Sequence, residues 1–137
     1  MPQQRATVFI IDDEASIRTA LERLCRSAGY AGSAYESVDA FLESEVDDRN
    51  ACVVADIRMP GTSGLALPGR LRDLHRSLPV IFMTAFDAPE TRKEARLAGA
   101  AGYLGPRALG RALTSMRINR IPFTAPVPRQ LPPLRHD

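Results

Sequence analysis

The sequence predicts a doubly wound α/β domain, a parallel sheet of five strands with helices on both faces. Three observations support this. Short, continuous apolar runs rich in β-branched and aromatic residues recur along the chain, which is how a strand covered on both faces reads. Stretches with apolar residues at helical spacing lie between them. Three of the runs end in polar residues able to do chemistry: Val8-Phe9-Ile10-Ile11 in Asp12-Asp13, Ala51 to Ala55 in Asp56, and Val80-Ile81-Phe82-Met83 in Thr84.

Taken in order, the first strand is followed by Ile17, Ala20, Leu21, Leu24, Cys25 and Ala28, the inner face of a helix that Gly29 stops. A weaker strand fits residues 31–35, at a sheet edge, and a short helix fits Val38 to Leu42. After the strand ending at Asp56, Leu67, Leu71, Leu74 and Leu78 mark a third helix. Pro68-Gly69 falls where that helix would be under way, so a late start with Pro68 in its first turn is expected. Pro89 and Glu90 open a fourth helix that runs to Ala98 and ends at Gly99. A last strand fits residues 101–104, and Leu109, Ala112, Leu113 and Met116 mark a fifth helix.

A length of 137 residues suits one compact domain, and 45% hydrophobic with 25% charged residues suits a globular one. No apolar run is long enough to cross a bilayer. The start, MPQQRATVFIIDDE, lacks the layout of a signal peptide. Cys25 and Cys52 sit in apolar surroundings at a spacing that matches no metal motif, so both are expected as buried free thiols in a reducing cytoplasm. Net charge is +2 but uneven: residues 1–106 hold 15 acids and 12 bases, while residues 107–137 hold one acid and six arginines. The basic pI of 8.8 therefore belongs to the tail and does not indicate a nucleic-acid-binding fold.

In doubly wound sheets ligands bind at the carboxyl ends of the strands, which puts Asp12, Asp13, Asp56 and Thr84 on one rim. Each alone is ordinary. Asp12-Asp13-Glu14 reads as a helix cap, a lone Asp after a strand as a turn residue, and Thr84 as strand chemistry. Together they form an acid cluster whose members repel one another. A divalent cation such as Mg²⁺, which takes oxygen ligands, relieves that repulsion and neutralises a transferring phosphoryl group. A carboxylate can attack phosphorus to form an acyl phosphate, and a hydroxyl from Thr84 can donate to the new phosphoryl oxygens. His75, near the exposed end of the third helix, and His136, in the tail, pair with no Cys or Ser in a catalytic pattern. No glycine-rich phosphate loop appears. Arg18, Arg23 and Arg26 read as the wet face of the first helix.

The text VFIIDDEASIR, VVADIRMPGTSGLAL, LPVIFMTAFD and AGAAGYL resembles the receiver domain of two-component response regulators over about residues 5–118. The wording DIRMPGTSG and PVIFMTAFD is similar to the FixJ/NarL-like class. The resemblance implies a flavodoxin-like (CheY-like) five-stranded sheet of order 2-1-3-4-5. It also implies a phosphoacceptor rather than an enzyme, with slow autodephosphorylation. By the same resemblance Asp56 is the phosphoacceptor, and Asp12 and Asp13 are the acidic pair that holds Mg²⁺. The Arg58 backbone carbonyl is a further metal ligand, Thr84 the switch hydroxyl, and Tyr103 the aromatic that turns inward with it. Met59-Pro60-Gly61 would be the loop after the phosphorylation site. The implied phosphodonor is a histidine kinase. The implied output is an unknown downstream protein, or a homodimer through the fourth helix, fifth strand and fifth helix.

The chain departs from the family in its last third. The family carries a lysine before a proline after the fifth strand; here the text is Tyr103-Leu104-Gly105-Pro106, and the only lysine is Lys93, expected on the fourth helix away from the rim. Arg107 follows the proline, with a bulkier fork and in another register. Only 31 residues follow Pro106, too few for a packed DNA-binding output domain. Residues 119–137, rich in proline and arginine, are expected as an extended, flexible tail, such as a frameshift or truncation leaves. Its LPPL is a weak match to a proline-recognising groove. Two functional classes follow. One is a single-domain receiver that accepts a phosphoryl group and signals through protein contacts. The other is a degenerate receiver, or the remnant of a transcriptional regulator, that binds partners independently of phosphorylation.

Overall fold

The structure, a computed structural model, describes residues 6–84 and 88–104. Its elements are β1 (Thr7–Ile11), α1 (Ala15–Ser27), β2 (Ala31–Tyr35), α2 (Val38–Glu43), β3 (Ala51–Asp56), α3 (Leu67–Asp73), β4 (Val80–Met83), α4 (Pro89–Ala98) and β5 (Gly102–Leu104). The strands form one parallel sheet of order β2-β1-β3-β4-β5, as the sequence predicts.

The central strands carry no polar alternation because both of their faces are covered. Side chains alternate across a strand. Val8 and Ile10 of β1 and Cys52 and Val54 of β3 therefore face α1, with Cys25. Phe9, Ile11, Val53 and Ala55 face the opposite layer, with Val38 and Phe41 of α2, Leu67 and Leu71 of α3 and Ala95 of α4. β2 is half-exposed throughout, as suits an edge strand. Cys25 and Cys52 are buried free thiols, as expected. The expected fifth helix (Leu109 to Met116), the residues Gly105-Pro106 and Arg107, and the tail at 119–137 lie outside the described residues. Among the described residues no helix is long and apolar enough to cross a membrane.

The caps follow the local chemistry. Ser37 Oγ accepts from the Ala40 N–H at the start of α2. Gly99 closes α4 in the left-handed conformation, φ 98°. Pro68 sits in the first turn of α3, preceded by a single 3-10 turn at Gly64–Ala66, so the helix does start late.

α3 is shorter than its leucine stripe predicts. It ends at Asp73; Leu74 is 52% exposed, and His75 turns the chain at φ 56°. Leu78 is buried, but on the segment that leads into β4. Spacing alone could not distinguish a fourth helical turn from a loop leucine folded back onto the core. Arg76 holds that return: its N–H donates to the Leu71 carbonyl (2.9 Å), and its guanidinium grips Asp48 through Nε (2.8 Å) and Nη2 (2.6 Å). The same group lies 5.3 Å from the centroid of the Phe41 ring. With side-chain exposures of 17% and 27%, the Arg76–Asp48 pair is drier than a surface bridge and forked. Asp48→Ala strands the arginine and is expected to lower the free energy of unfolding by about 1–3 kcal/mol in urea titration; a loss below ~0.3 kcal/mol would show the pair to be ornamental.

Candidate functional site

The strand register decides which residues meet. Ile11 pairs with Ala55, and Asp56 with Met83, so Asp12, Asp56 and Thr84 emerge side by side where β1, β3 and β4 end. Single ligand oxygens from Asp12, Asp13 and Asp56 all lie within 4.8 Å of one another. Asp12, Asp56, Met83 and Thr84 line one cleft with Glu14 and Ile17 of the adjoining α1 segment. Asp12 and Thr84 are each 3% exposed; Asp56 is half-buried and Asp13 exposed.

Asp12 is held at both ends of its backbone. Its N–H donates to the Tyr35 carbonyl (3.1 Å), and its carbonyl accepts from Arg18 Nη1 (2.9 Å). One carboxylate oxygen, Oδ1, accepts the Glu14 N–H (2.9 Å). Burial raises the Asp12 carboxyl above its ordinary value; the Glu14 N–H opposes this, while the charges of Asp13 and Glu14 add to it. Asp56 rises further, from 3.8 to about 6, through burial first. The Arg58 N–H, which donates to Asp56 Oδ1 (3.2 Å), opposes the rise, and Asp12, Asp13 and Glu14 reinforce it.

The sequence-predicted acids thus converge, with Thr84 in the same cleft. Arg58 follows directly in the loop, placed through its N–H. Tyr103 stands on β5, opposite Phe82, and is 6% exposed within the core layer that holds α2, α3 and α4. Lys93 is exposed on α4, away from the rim. The reading of Arg18 as wet helix face is corrected: it is half-buried and bound to Asp12, while Arg23 and Arg26 are exposed as expected. A polar residue at helical spacing carries no mark of which carbonyl it will reach, so nothing in the sequence separated Arg18 from its neighbours.

Ser63 and Gly64 were also missed. The Gly64 N–H donates to the Ile57 carbonyl (3.3 Å), which also accepts from Ser63 Oγ (3.1 Å); that hydroxyl in turn accepts the Leu65 N–H (3.1 Å). A Cβ built on Gly64 would overlap the carbonyl oxygen of Asp56. The available signal was the Ser-Gly pair of GTSG, read only as part of a matching phrase. Gly64→Ala must push the Asp56 carbonyl aside, and an unfolding free energy lower by about 1–3 kcal/mol is expected in urea.

The raised carboxyl of Asp56 fixes a second expectation. Its folded value lies above its unfolded one, so the unfolded chain ionises first as pH rises. Stability attributable to this group therefore falls between pH about 4 and about 6 and stays reduced above that range. Asp56→Asn is expected to melt above wild type in Mg²⁺-free buffer at neutral pH, with the gap closing below pH about 4. An equal gap at both pH values contradicts this.

The sequence profile of the response regulator receiver domain matches residues 8–110. The transcriptional regulatory protein TdiR of Thauera aromatica is 36% identical over 99 residues, which cover 72% of this chain and 44% of that protein. The DNA-binding transcriptional regulator NtrC of Klebsiella pneumoniae is 39% identical over 101 residues, covering 74% of this chain and 22% of that protein. The chain thus spans less than half the length of these curated relatives. The crystal structure of FixJ-N superposes with a TM-score of 0.73 at 30% identity, covering 87% of this chain and 98% of that one. The chain therefore belongs to the family of response regulator receiver domains, the signalling modules of two-component systems.

Proposed function

We propose that the rim accepts a phosphoryl group on Asp56 from the phosphohistidine of a histidine kinase. The observation that carries this reading is the convergence of three carboxylate oxygens within 4.8 Å beside a buried threonine. Three acids this close are mutually unfavourable, and burial raises two of them further. Hard oxygen donors at such spacing fit Mg²⁺. Asp12, Asp13 and Asp56 would hold the ion, joined by the Arg58 carbonyl, and the bound ion would neutralise charge on the phosphoryl oxygens.

The chain's own residues do the rest. An Asp56 carboxylate oxygen attacks phosphorus, a P–O bond forms, the P–N bond to imidazole breaks, and the leaving imidazole takes up a proton. The Arg58 N–H on Oδ1 orients the carboxylate. Thr84 donates to a phosphoryl oxygen, and Tyr103 couples that movement to the β4–β5 edge. Output would pass to an unknown downstream protein, or to a second copy, through α4, β5 and the segment after it, with the chain in the cytoplasm. Residues 5–118 would act as the receiver and 119–137 as an extended tail.

A second reading, a degenerate receiver that binds partners without phosphorylation, draws on the text Gly105-Pro106 in place of a lysine and proline. Incubation with acetyl phosphate and Mg²⁺, followed by intact-mass measurement, separates the two. The expected result is one phosphate adduct on wild type, lost with EDTA and absent from Asp56→Asn. No adduct at high donor and Mg²⁺ favours the degenerate module.

A further inference from the structure

We propose that Arg18 is the positioning residue of the acid rim, fixing the Asp12 peptide so that one carboxylate oxygen is presented to the metal. This rests on the phosphoacceptor reading above and concerns how the site is held together. Asp12 follows the last residue of β1, where the sheet no longer supplies a partner for its carbonyl. The residue is 3% exposed, so water is a poor substitute, and a buried carbonyl requires a donor. Arg18 Nη1 supplies it at 2.9 Å, six residues on and one turn into α1.

The placement runs against helix electrostatics. Cations are disfavoured at a helix N-terminus, where the macrodipole is positive, and Arg18 sits in that region of α1. Its half-buried position is explained by the strand end rather than by the helix. Among the described residues Arg18 is also the only cation whose charge bears on the Asp12 carboxylate; the other charges acting there are the acids Asp13 and Glu14. The chain's only lysine is exposed on α4. The side chain of Asp12 divides its work accordingly. Oδ1 takes the Glu14 N–H, and among the described residues Oδ2 takes no hydrogen bond. The backbone is clamped by Tyr35 before it and Arg18 after it, and one Asp12 carboxylate oxygen lies within 4.8 Å of ligand oxygens from Asp13 and Asp56. Without Arg18 the carbonyl would turn toward solvent, and the carboxylate would swing with it.

Charge alone predicts the opposite sign. Removing a cation beside an anionic site should tighten Mg²⁺ binding, whereas removing a clamp should weaken it. Calorimetric titration of the full-length chain with MgCl₂ therefore decides. Arg18→Met is expected to bind Mg²⁺ roughly tenfold more weakly, the scale seen when a group orienting a metal ligand is lost. Arg18→Lys, which keeps a donor on a less directed stem, should fall between. In phosphorylation by acetyl phosphate, the half-saturating Mg²⁺ should rise in both variants while the rate at saturating Mg²⁺ is retained, a split that general loosening of the fold would not give. Should the methionine variant fail to fold, the lysine variant carries the same test. Variant affinities equal to or tighter than wild type overturn the role of Arg18 and leave the acid rim standing. A wild type that takes up no Mg²⁺ overturns the rim reading, and this proposal with it.

Discussion

The covering of both sheet faces constrains everything else in the molecule. β1, β3 and β4 are buried on each side, so a charged side chain within them would be desolvated with no partner. Polar chemistry is confined to where the strands stop. Parallel pairing makes them stop together, since Ile11, Ala55 and Phe82 lie in adjoining register. The acid cluster is thus a consequence of the layer arrangement: once three neighbouring strands end in Asp, Asp and Thr, the sheet brings those residues together without needing loops to carry them there.

What the sequence showed follows from the same constraint. Continuous apolar runs identify doubly covered strands, and the residue ending each run identifies the rim, so Asp12, Asp56 and Thr84 were legible from pattern. Gly99 and Pro68 were legible because their backbone chemistry admits few uses. Three things were not. The length of α3 depended on Arg76 folding the chain back toward Asp48, a contact between residues 28 positions apart. Arg18 depended on a carbonyl left without a partner by the end of β1. Gly64 depended on how closely its backbone passes Asp56. Each depends on where the folded backbone comes to lie, and each is carried by a residue type that is common on any surface.

The raised carboxyl of Asp56 and the clamp on Asp12 are two sides of one design. Crowded acids are unfavourable in the metal-free fold, so they need firm positioning to remain crowded. That positioning comes mostly from backbone groups: the N–H groups of Glu14 and Arg58 on the two carboxylates, and the Tyr35 carbonyl on the Asp12 N–H. Backbone donors move only with the chain, which makes the cluster stiffer than one held by side chains alone. Thr62 Oγ1 donates to Asp39 Oδ2 (3.2 Å) and ties the loop after Asp56 to the start of α2.

The return of the Gly64 N–H to the Ile57 carbonyl closes the intervening segment into a ring that begins at Ile57 and ends at Gly64. Length changes on either side of that closure have unequal consequences. An extra residue near Pro60-Gly61, at the outer turn of the ring, would bulge into solvent and leave Asp56 and α3 where they are. An extra residue between Gly64 and Leu67 would rotate α3 by about 100°, carrying Leu67 and Leu71 out of the core. The segment beside Asp56 thus has one end at which insertions can accumulate and one at which they cannot, and the dividing point is a single peptide hydrogen bond.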